Sequence, residues 1–175
     1  MPIAFGKMKS KVFAVYFSPC RKIVELKISL QIKLQVPPPP PYLDFGVINQ
    51  GYVGKKNKYV YAAVGDPLPK ISGVVKLDVS KGERQECIVA TRLYGGACYG
   101  GEPIFVPKQP DNPEADEDDG YVVSFVHDEK CVESRFLVVD AKSAHLDIVA
   151  AVKLPRWVPY GFHGLFVRKN ELDKL

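Results

Sequence analysis

Histidines, cysteines and clustered acids are the side chains in this chain able to bind a metal or move a proton. The three histidines are His127, His145 and His163. His127 sits in Val126-His127-Asp128-Glu129-Lys130, where a strand enters a turn, and His145 in the polar loop Ser143-Ala144-His145. Both read as structural rings, because neither has a ligand context around it. His163 differs. It lies in LPRWVPYGFHGLF, where two prolines and two glycines restrict the backbone and aromatic and apolar residues flank the ring. A polar ring in so dry a setting is costly unless something satisfies it, and either a carboxylate or a metal would do so. Glu102 in YGGEPIFVP is a candidate carboxylate: a single acid opening an otherwise apolar strand, and glutamate is rarely buried without a partner.

The other reactive groups read as ordinary. Cys20, Cys87, Cys98 and Cys131 form no CxxC pair, and no histidine stands at zinc-like spacing from two of them. They read as reduced structural thiols. The acids Asp111, Glu114, Asp116, Glu117, Asp118 and Asp119 lack the alternating oxygen ligands, central glycine and terminal glutamate of a calcium loop. They read as a solvated surface loop.

The elements that must position these residues are strands. Tyr and Phe number nine each, hydrophobic residues make up 46% of the 175, and no segment has a helical period of useful length. Candidate strands are 58–64, 71–79, 85–91, 102–106, 121–127, 134–140, 147–153 and 164–168, separated by glycine- and proline-rich turns. Such punctuation implies a sandwich, barrel or propeller, and eight strands make about two four-stranded propeller blades, which cannot close a ring. Upstream, residues 26–36 alternate strictly between apolar and polar, a strand with one wet face. Pro37 to Pro41 then form a stiff spacer and a boundary, dividing the chain into 1–41 and 42–175.

Charge excludes some functions. The net charge is +4, but residues 1–35 hold seven Lys/Arg against one acid, whereas the remainder holds 17 basic and 19 acidic side chains. Nucleic-acid binding wants basic residues on one folded face, so no nucleic-acid partner is expected. The apolar runs fall short of the ~20 residues of a membrane span. The basic, acid-poor N-terminus is only faintly like an organelle transit segment, being poor in serine.

The segments YGGEPIFVP, EDDGYVVSFVHDEK, SRFLVVDAKS, LDIVAAVKLP and VPYGFHGLFV resemble the C-terminal part of plant carotenoid cleavage dioxygenases, and YVGKKNKYVYAAVGDPLPKISGVVKLDVS points to their class-four, plastid-associated branch. The resemblance runs from about Leu43 to the C-terminus and leaves residues 1–41 aside. It implies an all-β fold: about two blades of a seven-bladed β-propeller that carries non-haem Fe(II) on four histidines, with glutamates behind most of the rings. It makes His163 the last of those iron ligands and Glu102 one of the supporting acids, with Glu102 orienting His163 directly. It implies 9,10-type oxidative cleavage of a carotenoid or apocarotenoid by O2, plastid location, and peripheral association with a membrane or plastoglobule. The other three ligands are expected upstream, so this chain is expected neither to hold iron tightly nor to cleave carotenoids alone. The alternative is a non-catalytic β interaction module derived from the oxygenase. Three departures from the family pattern fall in the blades: Cys131-Val132 where Thr-Gly or Asn-Gly is usual, Trp157 for Arg, and Gly95-Gly96 for Gly-Pro.

Overall fold

The computed structural model describes residues 13–16, 42–66, 69–81, 87–161 and 163–174. The alternating segment 26–36 and the proline run 37–41 lie outside the described residues. Two compact units result, one of residues 1–31 and 163–175 and one of residues 32–162. In the smaller unit β1 (Phe13–Tyr16) pairs antiparallel with β11 (Leu165–Arg168), which leads into the short helix α1 (Lys169–Leu172).

The larger unit is a nine-stranded antiparallel sheet. Its strands are β2 (Tyr42–Val47), β3 (Tyr59–Gly65), β4 (Ile71–Asp78), β5 (Ile88–Leu93), β6 (Cys98–Gly100), β7 (Ile104–Pro107), β8 (Gly120–Asp128), β9 (Glu133–Asp140) and β10 (Ile148–Lys153). Two meanders, β2-β3-β4-β5 and β7-β8-β9-β10, are bridged by β6, which pairs with both β4 and β8. This is the expected pair of four-stranded blades, and the sheet does not close. Sequence reasoning placed most of these strands to within a few residues; it missed β2 and the three-residue β6.

The strands are rich in β-branched and aromatic residues, which pack well on a pleated surface. Strand β3, between β2 and β4, is buried on both faces. Tyr61 and Ala63 point one way and Ala62 and Val64 the other, and all four are almost fully withdrawn from water. One face joins a core with Val74 and Ala90 of the first meander and Phe105, Val122 and Val139 of the second. Across it Tyr61 and Phe105 stack with centroids 5.4 Å apart, and the Tyr61 hydroxyl donates to the Ala141 carbonyl at 3.0 Å. Each large side chain so buried contributes roughly 1.5–3 kcal/mol, so this face fixes one meander on the other. The opposite face packs Ala62 and Val64 with Val75, Leu77 and Cys87.

The β6 bridge needs a glycine. A Cβ on Gly100 would stand 2.6 Å from Tyr94 Cε2 and 3.2 Å from the Phe125 carbonyl. No side chain fits there, so the chain just before Glu102 lies tight against β8.

Candidate metal centre

Glu102 is half-buried in the turn between β6 and β7, and belongs to the larger unit. Its position follows from the glycines before it. Gly101 N–H donates to the Phe125 carbonyl at 2.9 Å, and its own carbonyl accepts from the Ser124 hydroxyl at 3.0 Å. A Cβ on Gly101 would meet the Gly161 carbonyl at 3.7 Å. Gly101 and Gly161 thus lie close together within the larger unit.

His163 begins the C-terminal part of the smaller unit and is exposed. The dry setting expected for it is not found. Aromatic and apolar neighbours in sequence do not bury a ring unless other elements cover it, and His163 stands just before the short strand β11. His145 is exposed in the β9–β10 loop, where its carbonyl accepts from Arg92 Nη2 at 2.8 Å. Among the described residues no three His, Cys, Asp or Glu side chains come together as a metal cluster. An imidazole is a suitable nitrogen donor for iron, so the donors here fit one corner of an iron centre and not a complete one.

His127 is 7% exposed, and its Nδ1 lies 3.0 Å from Ser134 Oγ. The two residues are direct partners across β8 and β9. Ser134 is also the anchor of residues 154–161, a segment without regular structure. Its carbonyl accepts from Leu154 N–H at 2.8 Å and its hydroxyl from Val158 N–H at 3.0 Å. The Trp157 and Tyr160 rings stand T-shaped to the His127 ring, with centroids 6.1 and 6.2 Å away. The Tyr160 hydroxyl donates to Glu129 at 2.7 Å, and Lys70 Nζ lies 2.8 and 3.0 Å from the two Glu129 oxygens and 4.2 Å over the Tyr99 ring. Burial, then the bond to Glu129, pushes the Tyr160 phenol up to about 12. The hydrogen bond from Lys70, followed by that from Tyr160, holds the Glu129 carboxyl below its ordinary value. Sequence reasoning took His127 as structural but missed this network. The available signal was the hairpin itself: a turn centred between Asp128 and Glu133 sets His127 opposite Ser134.

The acidic stretch is more than a solvated loop. Glu117 accepts from the Lys58 and Tyr59 amides at 2.9–3.0 Å, and Asp118 is buried.

The family model described as retinal pigment epithelial membrane protein matches residues 9–168, including much of the stretch ahead of the proline boundary. A chloroplastic Arabidopsis thaliana protein described as a probable carotenoid cleavage dioxygenase 4 is 68% identical over 133 residues, 76% of this chain and 22% of the relative. The chromoplastic zeaxanthin 7,8(7',8')-cleavage dioxygenase of Crocus sativus is 58% identical over 74% of this chain and 35% of its own length. The solved Synechocystis apocarotenoid oxygenase, as its Trp149Ala mutant, superposes with a TM-score of 0.61 at 26% identity, over 73% of this chain and 26% of the other. The chain therefore spans about a fifth to a third of the length of these proteins. With two propeller-type blades and a family match over nearly its whole length, this chain belongs to the retinal pigment epithelial membrane protein family, the carotenoid cleavage oxygenases.

Proposed function

We propose that this chain is part of a non-haem iron(II) dioxygenase that cleaves a 9,10-type double bond of a carotenoid or apocarotenoid in plastids. In this reading His163 binds iron through one ring nitrogen. Glu102 accepts from the other N–H and so fixes the ring's tautomer and direction, as carboxylates behind metal-bound histidines do. Three further histidines come from the part of the relatives' length that this chain does not span. The observation that carries the reading is the family match over residues 9–168, a span that includes both Glu102 and His163. The plastid labels on the relatives support the location.

When bound, Fe(II) supplies the one-electron chemistry that lets O2 react with a polyene. The overall reaction breaks one carbon–carbon double bond and places one oxygen atom on each carbon, giving two carbonyl products. This chain's own residues would hold and orient the metal, and apolar surface at a membrane or plastoglobule would deliver the substrate.

The reading is tested by replacing the matching segment of the Arabidopsis relative with residues 42–175. The chimera should hold iron and give 9,10-type products by chromatography. His163→Ala should lose the iron, and Glu102→Gln should weaken metal binding by about 10- to 100-fold. Full iron occupancy in the His163→Ala chimera would remove the proposal's basis. A second reading, a non-catalytic interaction module, draws on the open edge of β10, where Ile148 and Val149 are 44% and 51% exposed. It requires the 175-residue chain to bind a full-length relative, which sedimentation of the mixture would detect.

A further inference from the structure

The turns that carry Cys98 and Cys131 lie side by side within the larger unit. Glu129 N–H, in the β8–β9 turn, donates to the Ala97 carbonyl, in the β5–β6 turn, at 2.9 Å. A Cβ on Gly96 would stand 4.0 Å from Lys130 Nζ. Asp128 sits between the two cysteines. It is the direct antiparallel partner of Cys98, so the two side chains share a face of the sheet, with Cβ atoms about 5 Å apart. Asp128 Oδ1 also accepts from the Lys130 and Cys131 amides at 2.8 and 3.1 Å, which folds the turn back over the carboxylate. Both thiols act on that carboxylate: after the Cys131 and Lys130 amides, they help to hold its carboxyl below the ordinary value. Burial, then the Asp128 charge, pushes the Cys98 thiol up, and Cys131 is among the groups it feels. Cys98 is half-buried and Cys131 is exposed, whereas Cys87 is buried with Val75 and Leu77.

We propose that Cys98 and Cys131 form a redox modification site, a dithiol that closes to an intramolecular disulfide by exchange with an oxidised disulfide donor. Cys131, the accessible thiol, attacks as its thiolate, forms a mixed disulfide and releases one donor thiolate. Cys98 then attacks the Cys131 sulfur as its thiolate and releases the second. The pair gives up two protons and two electrons; the electrons reduce the donor disulfide and the protons go to its two sulfurs. The new bond closes the loop 98–131, which contains Glu102 and the acidic stretch. Closing a loop of that length restricts the unfolded chain, so oxidation should stabilise the fold. The site does not rest on the reading of His163 as a ligand.

The test equilibrates the 175-residue chain with oxidised glutathione, alkylates the remaining thiols in denaturant, digests with trypsin and reads masses. Trypsin leaves Cys98 in peptide 93–108, Cys131 in peptide 131–135 and Cys87 in peptide 85–92. Peptides 93–108 and 131–135 should appear joined, lighter than their reduced sum by two hydrogens, from a chain that runs as a monomer on a non-reducing gel. Oxidation should raise the melting temperature by several degrees, and dithiothreitol should reverse the rise. Cys131→Ser should abolish both effects. Oxidation in urea should lower the yield of this pairing about tenfold, because only the fold holds the two thiols together. Cys131 recovered solely as its glutathione adduct, with Cys98 alkylated, would show that the thiols do not meet and would overturn the proposal. So would a yield in urea equal to that of the native chain, or Cys131 joined instead to Cys20, Cys87 or a second chain.

Discussion

The Lys76 ammonium lies 2.7 Å from the Asp118 carboxylate, with side-chain exposures of 6% and 13%. It also contacts the Ala141 carbonyl at 2.9 Å and the face of the Tyr59 ring at 4.2 Å. One side chain of β4 thus ties down the acidic loop and the residue that follows β9. Removing one partner of a buried pair strands the other charge away from water.

Asp118→Ala should therefore destabilise the chain by about 3 kcal/mol in urea unfolding. Replacing both residues, Lys76→Met with Asp118→Leu, should recover most of that loss, because no charge is left buried. A single substitution costing under about 1 kcal/mol would mean the pair is solvated, as surface pairs are.

Val132 adopts φ 55° and is 70% exposed in the turn between β8 and β9. A β-branched residue in the left-handed region is strained by about 1–2 kcal/mol, and exposure means little packing offsets it. Val132→Gly should stabilise the chain by about 1 kcal/mol after the extra freedom of unfolded glycine is subtracted. A melting temperature that rises by a few degrees would bear this out; one that falls would show that the turn draws on the valine side chain.

This strain was visible in the sequence, because a valine stands where the family places glycine. The strands were visible too, since β-branched and aromatic runs between turn residues leave few other folds open. The three-residue β6 was not: its pairing comes from contacts with strands on either side, not from a pattern of its own. The setting of His163 was misread for a related reason. Neighbours in sequence made it look buried, but burial depends on elements distant in sequence. The His127–Ser134–Val158 chain links three segments, and only its first pair follows from the hairpin register.

Glu129 gives the segment 154–161 a predicted pH dependence. Its carboxyl is held below the ordinary value of 4.5 by Lys70 and then Tyr160. A depressed acid contributes stability that is present above its unfolded value and is lost as pH falls through the folded one. Trp157 is the chain's single tryptophan and reports on the segment. With Lys70, Tyr160 and the nearby His127 ring the facing titratable groups, the Glu129 contribution to Trp157 emission should change only below about pH 4.5. Glu129→Gln should abolish that acid component. An identical acid profile in the variant would show that Glu129 is not the controlling group.

Metal binding by the 175-residue chain alone is the last expectation. Among the described residues no three-member cluster of ligating side chains exists, and His163 is exposed. A ligand that binds only the native state raises stability in proportion to the logarithm of its concentration over Kd. One imidazole in water competes poorly for a metal that four can hold, so micromolar Fe(II) or Co(II) should leave the chain's melting temperature unchanged. The same addition to the chimera should raise it, and His163→Ala should remove that rise. A stoichiometric shift in the chain alone would mean that it assembles a complete site by itself, either within one molecule or between copies.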